Sequence, residues 1–342
     1  MNRSHRLFAL FVVCFTAFNV VVGQTPAGTG KPIVEIFSDF HVKLNDSTST
    51  TGFDINRAFL GYSYVLDNNF TAKVVINGAG NPNDIVAGTG TARRRYAHLR
   101  DASLAWSNEK LTLTFGLTET RIFGPQQRWW GKRYIAADVQ SLHGYGFVCD
   151  LGVVADYKFN DIFSGDIAVM NGEGFYETQL DNNVRSSLGL TITPNQNFMF
   201  RVYGDHYRAL EQNQFTGVAF AGYKNKYFYV GADYSYKSNA GGRSGYDSWA
   251  ISTLNGVYLT EKDELFFRYD YAKSVRPGPA ICTDPGECTQ RWDLRDGTFM
   301  IIGFQHIFTP NLKLTLNYQG TNPYSSLVQN RDLIYVNAHF RF

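Results

Sequence analysis

From residue 34 to the last residue, the chain runs through sixteen segments of eight to fourteen residues in which apolar and polar side chains tend to alternate. The connections between these segments sort by parity. Every second one is a tight polar turn: Asp67-Asn68-Asn69, Ser107-Asn108-Glu109, Asn160-Asp161, Pro194-Asn195-Gln196, Lys224-Asn225, Glu261-Lys262 and Thr309-Pro310. The others, near 45–52, 78–93, 118–145, 171–183, 208–213, 237–245, 274–297 and 320–332, are longer and rich in Gly, Asn and Ser. Alternation of period two gives a strand one apolar and one polar face. A soluble sandwich has no reason to sort its connections this way, whereas a membrane-spanning barrel has short turns on one side and long loops on the other.

The first segment shows the pattern. Val34, Ile36, Phe40, Val42 and Leu44 fall on one face, and Glu35, Asp39, His41 and Lys43 on the other. Segments 70–77, 110–117, 184–193, 311–319 and 333–342 repeat it clearly. Composition agrees: 21 Tyr, 27 Phe and 32 Gly against 4 Met favour strands and turns over helices. A mean hydropathy of −0.24 is too polar for a bundle of membrane helices but suits a barrel with a wet interior. The expected fold is therefore an all-β transmembrane antiparallel barrel of about 16 strands, one domain over residues 24–342.

Ahead of it, the cationic stretch Met1–Arg6 and the apolar run Leu7–Val22 read as a signal peptide over residues 1–23, with cleavage before Gln24. That implies export, and the barrel pattern then implies the bacterial outer membrane with its lipid as surroundings. The last segment presents Ile334, Val336, Ala338, Phe340 and Phe342 on one face. Such a strand resembles the signal read by the barrel-assembly machinery, with Phe342 as its terminal residue, and it would close the sheet on the segment at 34–44.

Cysteine usage is sparse. Cys14 leaves with the signal, Cys149 stands alone, and Cys282 and Cys288 are expected to form a local disulfide within a Pro/Gly-rich loop. No histidine or third thiol near that pair suggests a metal site, and no cofactor is implied. A net charge of +2 with one short basic run, Arg93-Arg94-Arg95, gives no reason to expect a nucleic-acid partner.

Ile55-Asn56-Arg57-Ala58-Phe59-Leu60-Gly61-Tyr62 and Asn69-Phe70-Thr71-Ala72-Lys73-Val74 resemble the opening hairpin of porins related to the phosphate-selective porin O/P group. Arg128-Trp129-Trp130-Gly131-Lys132-Arg133-Tyr134-Ile135 and Asn171-Gly172-Glu173-Gly174-Phe175 are also similar to that group. The resemblance implies a sixteen-stranded barrel, a homotrimer, and a third long loop folded into the lumen. The residues support the last point on their own. The loop at 118–145 is the longest and carries Ile122, Phe123, Trp129, Trp130, Tyr134 and Ile135, a costly apolar content for a solvated loop.

The same loop carries Arg121, Arg128, Lys132 and Arg133 against Glu119 and Asp138, and these four cations are the candidates for a pore constriction. Lys132 is its only lysine, so the lysine cluster suited to phosphate capture is missing. Strand parity turns Arg57, Lys73, Arg185, Arg201, Arg268 and Arg341 inward, together with Asp150, Asp166, Asp205 and Asp270. The expected function is passive diffusion of small hydrophilic solutes, with a modest preference for anions. A phospholipase-like barrel enzyme and a structural or adhesive barrel are the alternatives. The sequence shows no Gly-x-Ser-x-Gly elbow, His-Glu-x-x-His motif or nucleotide-binding glycine loop, no peptidoglycan-binding domain, and no repeated long loops.

Overall fold

The computed structural model describes residues 28–44, 51–78, 97–179, 181–209, 212–278 and 289–342. The proposed signal peptide and both Cys282 and Cys288 lie outside the described residues. The strands in chain order are β1 (Gly30–Lys43), β2 (Thr51–Val65), β3 (Phe70–Asn77), β4 (His98–Ser107), β5 (Leu111–Glu119), β6 (Cys149–Lys158), β7 (Phe163–Met170), β8 (Arg185–Ile192) and β9 (Phe198–Ala209). They continue with β10 (Gln212–Lys224), β11 (Phe228–Ser238), β12 (Asp247–Tyr258), β13 (Asp263–Pro277), β14 (Thr289–Gln290), β15 (Gly297–Thr309), β16 (Leu312–Pro323) and β17 (Arg331–Arg341).

The two-residue β14 pairs with β13 alone; the other sixteen strands pair in antiparallel sequence order. The ring closes where β1 meets β17, in register from Glu35 opposite Arg341 to Lys43 opposite Leu333. Closure removes both sheet edges, so every strand finds a partner on each side. The backbone amide of Phe342 extends the seam by donating to the carbonyl of Val34 at 3.1 Å.

The short turns share one chemistry. Asp67, Asn108, Asn160, Asn195 and Asn225 each accept, through the side-chain oxygen, from the backbone amides two and three residues further on. A short polar side chain that mimics a backbone turn fixes the hairpin there. Beside these turns the outer surface carries aromatic rings in contact, Tyr157 with Phe159, Phe198 with Tyr223, and Tyr223 with Phe228. They form part of the aromatic girdle a barrel places at a membrane interface. Between the turns and the long loops the outer face is apolar, with Leu60, Val74, Ile76, Phe115, Ile167, Leu188, Val202, Ile251, Ile302 and Leu316 all exposed.

The inner face departs from simple alternation. Phe37, Phe59, Val75, Phe220, Tyr229, Leu254, Phe266 and Ile301 occupy inward positions and are buried. They are covered by the connection between β5 and β6, residues 120–148, which folds into the barrel. Its short helices are α1 (Gly124–Trp130), begun by a proline and ended by Gly131 in the left-handed region, and α2 (Val139–Leu142), capped by the Asp138 carboxylate on the amide of Ser141. The closed hydrogen-bonded ring should keep the barrel folded in SDS until it is boiled. Unheated protein is expected to migrate faster on a gel than boiled protein; identical mobilities would contradict closure.

Candidate functional site: the inserted loop and the basic passage

The inserted loop contains few backbone partners of its own, so its carbonyls need donors from elsewhere. The wall supplies them. Arg201 on β9 donates to the carbonyl of Arg121, Lys224 on β10 to that of Trp129, Lys237 on β11 to that of Gly144, and Arg268 on β13 to that of Ala137, each at 2.6 Å. Gln319 on β16 reaches the carbonyl of Ile135 at 3.3 Å. The side chain of Gln140 donates to Asp233 and Ser235 on β11, and the Tyr134 hydroxyl donates to Gln305 on β15. The arc from β9 to β16 therefore holds the loop along its length.

Apolar packing fits the same arc. Gly222 and Gly231 face one another across β10 and β11, and the slot they leave is filled by the Trp129 indole. A Cβ on Gly222 would lie 2.6 Å from Trp129 Cε2, and one on Gly231 2.8 Å from Trp129 Cζ3. The indole is flanked edge-on by Phe220 and Tyr229. Trp130, Tyr134 and Ile135 complete the contact with the inward apolar side chains of the wall.

Of the four loop cations, Lys132 is an anchor rather than a pore-lining charge. Its side chain is 4% exposed and pairs with Glu264 on β13 at 2.5 Å. Burial pulls the ammonium down to about 8, with the Glu264 carboxylate opposing the fall. Arg121 is bound at both Nε and Nη to Asp156 on β6 and donates to its own neighbour's carbonyl at Glu119. Arg128, 65% exposed, and Arg133, beside Asp138, remain on the free side of the loop.

The six wall cations of the sequence reading, Arg57, Lys73, Arg185, Arg201, Arg268 and Arg341, all turn inward, but they divide. Lys73 pairs with Asp101, Arg185 with Asp205, Arg201 with Asp166 and Arg268 with Asp270. Arg201 and Arg268 are fully buried beneath the loop. Arg57 lies on the opposite side, where a cavity of about 320 Å³ separates the loop from the arc of β16, β17, β1, β2, β4 and β5. The cavity is lined by Arg57, Arg100, Arg128, Arg133, Lys313 and Arg341 against the carboxylates of Glu35 and Glu119.

Register explains the clustering. Arg57 is opposite Phe37, Phe37 opposite His339, and His339 opposite Lys313, so one rung across four strands aims all four side chains at the cavity. Glu35 is turned to His339 Nε2 at 2.8 Å, and the His339 ring stacks on Tyr134 of the loop. Arg100 arrives differently. Val75 pairs with Asp101 and Ile76 with Leu99, leaving Arg100 as the extra residue of a β-bulge, lying over the Phe59 ring and bonded to Glu119 at 2.5 Å. Strict alternation would have sent that guanidinium into lipid, which is why parity reading missed it. Lys313 and Glu35 fall at polar positions of the alternation but carried no signal that they converge, and Glu119 was read only as a charge of the loop.

Cys149 is buried and free.

No family model and no curated protein matches the sequence. Among solved structures, the chain is similar to the outer membrane channel DcaP of Acinetobacter baumannii at 12% identity and a TM-score of 0.64, covering 94% of this chain and 100% of that one. It is similar to OprB of Pseudomonas putida at 11% and 0.65, covering 92% and 94%, and to a trimer form of the outer membrane protein OmpT of Vibrio cholerae at 13% and 0.59, covering 92% and 100%. The fold is that of outer-membrane barrels. Identities this low carry the architecture and do not single out the phosphate-selective porin O/P group.

Two substitutions test the seating of the loop. Lys132→Ala strands a buried carboxylate and should destabilise the protein by about 3–5 kcal/mol, whereas the pair Lys132→Met with Glu264→Gln should cost far less. Unfolding temperatures of the single and double variants check this, and equal losses would mean the pair carries no coupling. Gly222→Val should expel the Trp129 indole from its slot and lower the unfolding temperature; an unchanged temperature would mean that the slot does not hold α1.

Proposed function

We propose that this barrel is an outer-membrane porin through which small hydrophilic solutes diffuse passively, with anions favoured. The passage is the space between the free side of the inserted loop and the arc β16–β17–β1–β2–β4–β5. The observation that carries this reading is the lining of that space, where six Arg or Lys side chains face two carboxylates. Fixed cations at a narrow place bias which ions pass, because little water is available there to screen them.

The distribution of charge supports a filter more than a scaffold. Cations on the far arc are consumed by loop carbonyls and by Asp166, Asp205 and Asp270, so they fix the loop and offer little to a passing ion. Those on the near arc outnumber the acids beside them. The apolar outer face and aromatic girdle support placement in the outer membrane, with lipid as the first partner. We extend the reading to a homotrimer, in keeping with the trimer form of the similar OmpT barrel, and to assembly by the barrel-assembly machinery acting on the terminal strand and Phe342.

Planar-bilayer recording in a KCl gradient tests the proposal. Folded protein should open discrete channels whose zero-current potential lies on the anion side. Replacing Arg57, Arg128 and Arg133 together by glutamine should lower the chloride-to-potassium permeability ratio roughly threefold, about 0.65 kcal/mol, as expected for a few partly screened charges. Folded protein that never conducts would overturn the porin reading. A triple variant with the parent's selectivity would overturn the assignment of the passage.

A further inference from the structure

We propose that Glu119 sets the strength of the anion preference by acting as the passage's resident counter-ion. This inference rests on the porin reading and deepens it.

Glu119 ends β5 where the strand runs into the inserted loop, directly beside the bulge that turns Arg100 inward. Its carboxylate is held from two sides. Oε1 accepts from Arg100 Nη2 of the wall at 2.5 Å, and Oε2 lies 3.8 Å from Arg128 Nη1 of α1. Its own carbonyl accepts from Arg121 Nη1 at 2.6 Å, which fixes the backbone from which the side chain projects. The side chain keeps 35% of its surface exposed, so it stands at the edge of the cavity and is not sunk in the wall.

Glu119 is thus engaged with two of the six cations that line the cavity, one from each bank. The other lining carboxylate, Glu35, is turned to His339. A passing anion that approaches Arg100 and Arg128 competes with a carboxylate hydrogen-bonded to the first and tethered 3.8 Å from the second, and a tethered group competes at high effective concentration. The competition weakens capture and speeds release. Conduction needs that balance, because a site must attract an ion and still let it leave. Glutamine at this position keeps the shape and one acceptor oxygen but removes the charge and the second acceptor, weakening the hold on both guanidinium groups and leaving them more open to the solute.

Single-channel recordings of the full-length Glu119→Gln protein test this, with unheated mobility in SDS confirming the folded barrel. The chloride-to-potassium permeability ratio should rise by roughly two- to threefold, the size expected of one added net charge that is partly screened. Citrate, used as a multivalent anionic probe, should block the chloride current at lower concentration than in the parent. Glu119→Asp, whose shorter carboxylate withdraws from Arg128, should shift both readouts less and in the same direction, and it serves as the test if the glutamine variant does not fold. A ratio that is unchanged, or that moves toward cations, in a folded and conducting variant would overturn the role of Glu119 while leaving the porin reading intact. Parent protein that conducts no ions would instead remove the reading on which this inference rests.

Discussion

The hydrogen bonds from four wall cations to four loop carbonyls are what the rest of the interior depends on. Arg201, Lys224, Lys237 and Arg268 each reach across to a backbone oxygen of the inserted segment. A loop of this length has too few internal partners to be stable inside a barrel on its own, and buried carbonyls without donors cost of the order of 1–3 kcal/mol each. Long cationic side chains serve well as donors here because their stems pack against the wall while their heads extend to the loop. Arg268 and Arg201 are also paired with carboxylates of the wall, so the charge each brings into the interior is opposed locally. The result is a loop pressed against one side, leaving its other side to water.

That asymmetry divides the lumen into two chemistries. On the arc β9 to β16 the inward positions are apolar or neutralised, and the interior resembles a protein core with Trp129 seated between two glycines. On the arc from β16 through β17, β1 and β2 to β5, cations gather around a cavity. The same barrel wall is therefore a structural partner of the loop over one half and the border of a cation-lined cavity over the other. A single charge inventory of the lumen would average over this difference and suggest a weaker field than the passage carries.

Much of this was legible in the sequence, for identifiable reasons. Period-two alternation and the parity of the connections are local signals, and they give the barrel, its strand number and the inward direction of Arg57, Lys73, Arg185, Arg201 and Arg268. The apolar content of the third long loop announces its burial. What alternation does not encode is pairing at a distance: whether Lys132 meets Glu264, 132 residues later, or whether Arg133 stays on the free side, depends on how the loop lies. The apolar residues at inward positions, Phe220, Tyr229, Leu254 and Phe266 among them, were breaks in the pattern and marked the face that receives the loop. Arg100 was hidden by a bulge, since one extra residue reverses the facing that parity assigns.

The seam between β1 and β17 lies inside the cation-lined arc, and this bears on the order in which the molecule can be made. Of all the strand pairings this one joins the segments farthest apart in the chain, so its closure carries the largest entropic cost and comes last among contacts of similar strength. Glu35 and Phe37 stand on one side of it, His339 and Arg341 on the other, with Lys313 one strand beyond. The cation-lined cavity is therefore completed by the same event that completes the ring. In a barrel with an open seam the cation cluster is still split between two unjoined edges.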